Sequence, residues 1–276
     1  MLALSLEKNK KFKYRDLKLS KKINKKKCRI KIKYSGICSS DIPRAFENKS
    51  YFYPIILGHE FSGVVKEVGR NVKKFKLGDK VTAFPLLPKK KINSYLKKKG
   101  KYNLCENYSY LGSRENGAFC EYLDVNEWNL YKIKKGLDLK LASIQEPTAV
   151  AFNVVDKIEN NKKNILIIGA GFISQIILRI LFRKKLKVTI LDRNKFKLKI
   201  ASKFAEKNIF YNMENKKNNL NLNKKFDCII DSIGSPNSLN LCLKNLKPEG
   251  KFIVYGNIYR DTKLLKNNYN LILRKE

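Results

Sequence analysis

Residues 27–34 alternate charged and apolar side chains (Arg29, Ile30, Lys31, Ile32, Lys33, Tyr34), the period-two pattern of a half-buried strand. Residues 61–68 predict a second strand, closed by Gly69, and Leu77-Gly78-Asp79-Lys80-Val81 predicts a turn into a third. Further short strands follow through residues 117–123, so up to about residue 135 the pattern predicts an irregular β-barrel. The rhythm then changes. Residues 139–158 carry helix-spaced apolar positions interrupted by Glu146-Pro147, and Asn164-Ile165-Leu166-Ile167-Ile168-Gly169 is an apolar run ending in glycine. Such a run predicts a strand buried on both faces of a parallel sheet. Strand patterns at 187–191, 226–231 and 251–255 alternate with helix patterns at 194–206 and 238–246. That alternation predicts an α/β domain with right-handed crossovers.

With 276 residues the chain fits two domains. The change of rhythm places a β-rich domain at 1–157 and an α/β domain at 158–276. A formal charge of +36 would ordinarily suggest nucleic acid or an anionic surface. Here the lysines are spread along the whole chain and travel with asparagine and isoleucine, so adenine- and thymine-rich codons account for much of the excess. No aromatic-basic repeat of a nucleic-acid module is visible, and no nucleic-acid partner is expected. The longest apolar runs stop well short of the ~20 residues that a membrane span needs, so a soluble chain with no membrane partner is expected. Six cysteines without close pairing, and no apolar leader before them, make a reduced cytoplasm the expected location.

Chemistry concentrates in two stretches of the β-rich half. Gly36-Ile37-Cys38-Ser39-Ser40-Asp41 and Leu57-Gly58-His59-Glu60-Phe61-Ser62-Gly63 hold a thiol, the chain's single histidine and two acids in turns marked by glycine. Thiolate, neutral imidazole and carboxylate are donors that zinc accepts, and a catalytic site keeps one position open. Taken singly, Cys38 reads as a small buried hydrophobe and His59 as a core histidine. Taken together the two stretches read as a catalytic zinc site. Asp41 is placed to hold the His59 imidazole from behind, fixing its tautomer.

In the second half, Gly169-Ala170-Gly171-Phe172-Ile173-Ser174 follows a predicted strand and opens a predicted helix, and Asp192 ends the next strand. Gly169 and Gly171 permit a tight turn and close approach of backbone to a pyrophosphate. Phe172 and Ile173 begin the helix whose N-terminus stabilises it. An acid at the distance of Asp192 binds both ribose hydroxyls, which favours NAD. Arg193 beside it leaves a 2'-phosphate tolerable, and Ser174 at the usual third-glycine position predicts looser helix-sheet packing.

These motifs together resemble the zinc-dependent medium-chain dehydrogenase/reductase family, whose pattern Gly-x-Cys-x-Ser-Asp followed by Gly-His-Glu-x-x-Gly is matched here residue for residue. The resemblance implies a GroES-like catalytic domain followed by a Rossmann dinucleotide-binding domain, and a zinc- and NAD-dependent alcohol or polyol dehydrogenase. It implies Glu146, in Gln145-Glu146-Pro147-Thr148-Ala149-Val150-Ala151, as third protein ligand beside Cys38 and His59. Glu60 becomes an alternate ligand that exchanges with water, and Ser40 a relay for the substrate proton. A narrower resemblance, to members acting on sugar-alcohol phosphates, runs from about Lys27 onward. It implies such a compound as substrate and a homodimer as the assembly. Arg44, Lys49 or Arg114 is then a candidate for its phosphate, though a solvated surface role fits each equally well.

Two departures stand out. Members of the family carry a structural zinc on four cysteines, whereas Lys89, Ile92 and Tyr95 stand at three of those places and Cys105 alone remains. Members also continue past the last residues here, Leu273-Arg274-Lys275-Glu276, so the Rossmann half is expected to be incomplete. A truncated relative that binds nucleotide or zinc without turnover is therefore the competing reading, and a basic nucleic-acid-binding protein is a third.

Overall fold

The structure is a computed structural model that describes residues 1–88, 94–105, 107–212, 220, 222 and 224–256. Lys89, Ile92 and the segment 273–276 lie outside the described residues. The chain divides into two compact units after Pro147.

The first unit is built of antiparallel strands. β1 (Leu2–Lys8) and β2 (Lys11–Asp16) form an N-terminal hairpin, and β3 (Lys27–Gly36) leads to the short helix α1 (Asp41–Phe46). There follow β4 (Ile55–Ile56), β5 (Glu60–Val68), β6 (Lys80–Ala83) and β7 (Leu86–Pro88). After α2 (Ser94–Lys98) come β8 (Tyr108–Tyr110), β9 (Tyr122–Asn126), β10 (Leu130–Lys132), α3 (Leu139–Ala142) and α4 (Gln145–Val155). The main sheet has the order β10-β6-β5-β3-β9, and a second sheet has the order β2-β1-β4. Residues 117–121 tie the two sheets together. Gly117 and Phe119 donate to Ile56 and Leu57, Phe119 O accepts from Leu4, and the chain then enters β9. Ile30, Phe61, Val65, Val81, Val125 and Leu130 fill the interior of this curled sheet.

The alternation seen at residues 27–34 is the start of β3, which runs two residues further and brings Gly36 opposite Glu60. Two elements depart from the sequence reading. The hairpin β1–β2 is absent from it: every residue of β2 is exposed, and most are charged. The break in 139–158 falls at residues 143–144, not at Glu146-Pro147. Pro147 sits in the first turn of α4, where a missing N–H has no helical partner to lose.

The second unit is a parallel sheet. β11 (Asn164–Ile168), α5 (Phe172–Arg183), β12 (Lys187–Asp192), α6 (Lys195–Ala201) and β13 (Lys207–Phe210) are followed by β14 (Phe226–Asp231), α7 (Pro236–Asn245) and β15 (Leu246–Val254). The strand order is β13-β12-β11-β14-β15, reversing direction at β11, where doubly wound sheets open a crevice. The apolar run behaves as its pattern predicts. Ile165 and Ile167 pack with Ile177, Leu178 and Leu181 of α5, and Leu166 and Ile168 pack on the other face with Cys242 of α7. The helix pattern at 194–206 shortens to α6, because the chain turns at Ser202 and adds β13 beyond β12. Among the described residues no helix is long and apolar enough to cross a membrane.

Candidate functional site

β3 ends at Gly36 and delivers Cys38, while β5 starts at Glu60 directly after His59. One donor atom from each of Cys38, His59 and Glu60 lies within 4.8 Å of the others. Glycines make this convergence possible. A Cβ on Gly36 would collide with Glu60 Oε2, and one on Gly112 or Gly117 would collide with the Gly58 carbonyl. Gly58 itself has φ of +96° and lies under the Phe119 ring, so the turn carrying His59 packs tightly against 112–119.

His59, Glu60 and Asp41 are 5%, 7% and 2% exposed. Asp41 Oδ2 accepts from the Cys38 N–H at 3.1 Å, and Oδ1 faces His59 Nδ1 at 3.6 Å. Both Oδ1 and Nδ1 are buried without a hydrogen-bond partner. An imidazole whose other nitrogen ligates a metal carries its proton on the side facing such a carboxylate, so this orphaned pair fits a ligating His59. Burial pushes the Cys38 thiol up, the Ser40 contact opposing it. Burial likewise raises Asp41, Glu60 and Glu146, with His59 opposing the shift at each. A dication placed among them would oppose that upward shift and favour the charged forms, so its binding is coupled to loss of protons. Thiolate, imidazole and carboxylate in one buried cluster suit zinc.

Glu146 stands in the first turn of α4, outside the tight group of three, and its Oε1 accepts a 3.0 Å hydrogen bond from Tyr110 Oη. The Tyr110 ring meets His59 edge-on, with centroids 5.6 Å apart. Burial first, then the Glu146 charge, push the Tyr110 phenol well above its usual pKa, so it is a donor. Sequence reading passed over Tyr110, one of three tyrosines within residues 102–110; its one signal was the glycine turn that follows it.

Ser40 Oγ lies 3.3 Å from Cys38 Sγ and accepts from Arg44 Nη1 at 2.8 Å. The hydroxyl expected to relay a proton is therefore engaged with the thiol in this state. Arg44 also donates to Ser40 O at 2.7 Å. Arg114 lies over the rings of Tyr51 and Tyr108, and Lys49 pairs with Glu47 at 2.8 Å. Each of the three candidate phosphate groups thus has a protein partner.

For the structural zinc the residues present do not fit. Tyr95 is exposed, and the buried Cys105 directs its thiol to the Asn107 carbonyl at 3.2 Å. One thiol cannot make a tetrahedral thiolate site.

In the second unit Gly169 has φ of +90°, and a Cβ there would collide with Ser232 Oγ. Gly171 caps α5 from extended backbone with no side-chain cap, and a Cβ there would meet nothing within 4 Å. Open space over the N–H groups of a 12-residue helix fits a pyrophosphate. Phe172 is exposed and Ile173 half-buried at the helix start, and Arg193 is exposed beyond β12. Asp192 Oδ2 accepts from Ala170 N–H at 2.6 Å and Oδ1 from Asn194 N–H at 2.7 Å, so this carboxylate also pins the glycine turn. The expectation of loose packing at Ser174 is corrected. Its side chain is fully buried and bonded to Tyr255 Oη at 2.6 Å.

An alcohol dehydrogenase GroES-like domain matches residues 24–135, and a zinc-binding dehydrogenase domain matches residues 173–276. Galactitol 1-phosphate 5-dehydrogenase of Escherichia coli (strain K12) is 34% identical over 259 residues, covering 90% of this chain and 73% of the relative. The crystal structure of galactitol-1-phosphate dehydrogenase from Escherichia coli superposes with a TM-score of 0.85 at 30% identity, covering 100% of this chain and 81% of that one. An Escherichia coli CFT073 structure, described as short chain alcohol dehydrogenase (rspB) complexed with cofactor NADH, has a TM-score of 0.85 at 25% identity, covering 98% and 80%. The chain belongs to the zinc-binding alcohol dehydrogenase family, a GroES-like domain followed by a Rossmann-type domain. Its class is the oxidoreductases acting on alcohols and polyols.

Proposed function

We propose that this chain oxidises a polyol or sugar-alcohol phosphate at a secondary hydroxyl, with NAD as acceptor and one zinc held by Cys38, His59 and Glu146. The observation that carries the reading is the convergence of Cys38, His59 and Glu60 donors within 4.8 Å, backed by the orphaned pair His59 Nδ1 and Asp41 Oδ1. When bound, zinc supplies Lewis acidity at the substrate hydroxyl and NAD supplies the hydride acceptor. The chain's own residues do the rest. Asp41 holds the imidazole and Ser40 supports the thiolate, while Glu60 stands as an alternate carboxylate beside the two. In the second unit the N-terminus of α5 holds the pyrophosphate, and Asp192 accepts from the ribose while keeping the glycine turn closed. His59 is taken up as a ligand and no second histidine exists in the chain. The outer proton acceptor is therefore water, a cofactor hydroxyl or a carboxylate.

The substrate class rests on the similarity to galactitol 1-phosphate 5-dehydrogenase. Arg44, Lys49 and Arg114 are the candidates for its phosphate. The test is steady-state oxidation of galactitol 1-phosphate, galactitol and other polyols with NAD. Preference for the phosphate ester supports the reading. Equal efficiency on the free polyol removes the phosphate pocket, and binding of NAD without turnover on any of them favours the competing reading of an impaired relative.

A further inference from the structure

Tyr110 touches two of the three residues assigned to zinc. Its hydroxyl donates to Glu146 Oε1 at 3.0 Å, and its ring lies edge-on to His59 at 5.6 Å. Its backbone is firmly held. Tyr110 pairs with Leu86 across the β7–β8 ladder, and its carbonyl accepts the N–H groups of Ser113, Arg114 and Glu115 at 3.3, 3.0 and 3.1 Å. The turn so formed contains Gly112, which packs on the Gly58 carbonyl beside His59. Gly58, His59 and Tyr110 therefore belong to one hydrogen-bonded and packed framework, and the Tyr110 phenol joins the Glu146 carboxylate to it.

We propose that Tyr110 is the positioning residue of this centre, fixing the Glu146 carboxylate by its hydroxyl so that the second oxygen, Oε2, is presented for zinc. A glutamate side chain has three rotatable bonds, and ordering it costs conformational entropy when no partner holds it. The phenol provides that order before the ion arrives. Ligating carboxylates held by an outer hydrogen bond bind metal about 10- to 100-fold more tightly than those left loose. The T-shaped contact restricts the imidazole in the same way, so removing the hydroxyl alone separates the two effects.

This inference rests on the zinc assignment above. The test is zinc affinity of the whole chain, by competition with a chromophoric chelator, for the unmodified protein and Tyr110→Phe. The thermal midpoint of each metal-free protein is measured alongside. Tyr110→Phe keeps the ring on His59 and removes only the bond to Glu146. The expected result is zinc affinity lowered about 10- to 100-fold with the metal-free midpoint unchanged. Unchanged affinity overturns the role of Tyr110 and leaves the zinc site standing. A fall in affinity matched by a lower metal-free midpoint assigns Tyr110 to general stability and also overturns it. Absence of zinc binding by the unmodified protein removes the site itself, and the inference with it.

Discussion

The Glu60 carboxylate occupies the space that a Cβ on Gly36 would fill: β3 and β5 place the two residues opposite each other, and Oε2 lies across the bare glycine. Gly36 is thus the reason a buried acid can reach the thiol of Cys38, two residues past the end of the neighbouring strand. Gly36→Ala is expected to push the carboxylate out of the cluster while the ladder survives, because φ at Gly36 is not in the left-handed region. Zinc affinity should fall roughly tenfold, the scale seen when a metal site's supporting contacts are lost. Chelator competition measures it, and wild-type affinity would mean that Glu60 takes no part in the centre.

At the proposed nucleotide site, Asp192 pins the glycine turn through the N–H groups of Ala170 and Asn194 and is the proposed acceptor for the ribose. A carboxylate accepts hydrogen bonds from ribose hydroxyls and repels a 2'-phosphate, so NAD should bind more tightly than NADP. Calorimetric titration with each nucleotide decides this. Tighter NADP binding would move attention to Arg193. Asp192→Ala should weaken both nucleotides, since the turn loses two backbone hydrogen bonds.

A pH effect is expected away from both sites. Burial pushes the Asp227 carboxyl up, but this is outweighed by Lys247 and by the N–H groups of Asn164 and Lys163, which hold it down at about 2. A carboxyl titrating lower in the folded chain than its unfolded value of about 3.9 stabilises the fold above that pH and loses this as pH falls toward about 2. The Asp227 side chain is only 17% exposed, but its partner Lys247 is 43% exposed, so solvent screens the pair and Asp227→Asn should cost about 1 kcal/mol at neutral pH. The difference between the variant and the unmodified chain should vanish near pH 2. Denaturant midpoints at pH 7, 4 and 2.5 follow it, and a constant difference across that range would exclude the mechanism.

How far these features could be read from the sequence depends on whether neighbouring residues carried them. Cys38, Asp41, His59 and Glu60 sit in two short stretches whose residue types alone suggest a metal, and Ile165–Ile168 announces a strand buried on both faces. The Tyr110–Glu146 bond joins residues 36 apart, and although Glu146 lies in a segment that the family resemblance singled out, nothing around Tyr110 marks it as the partner. The hairpin β1–β2 was passed over although Lys11-Phe12-Lys13-Tyr14-Arg15 alternates, since its outer strand buries neither face. Glu146-Pro147 misled as a helix break because proline interrupts a helix in its interior but not in its first turn. Ser174 misled because the missing glycine pointed to a gap, whereas its hydroxyl gains Tyr255 as a partner.

The central claim is that Cys38, His59 and Glu146 hold a single zinc. Elemental analysis of the purified chain, alongside Cys38→Ala, Glu146→Ala and Cys105→Ala, tests it most directly. About one zinc per unmodified chain is expected, most of it lost in Cys38→Ala and Glu146→Ala, since a site with three protein ligands has none to spare. Cys105→Ala should retain its zinc. Full occupancy in both ligand variants, or loss of zinc in Cys105→Ala alone, would contradict the assignment.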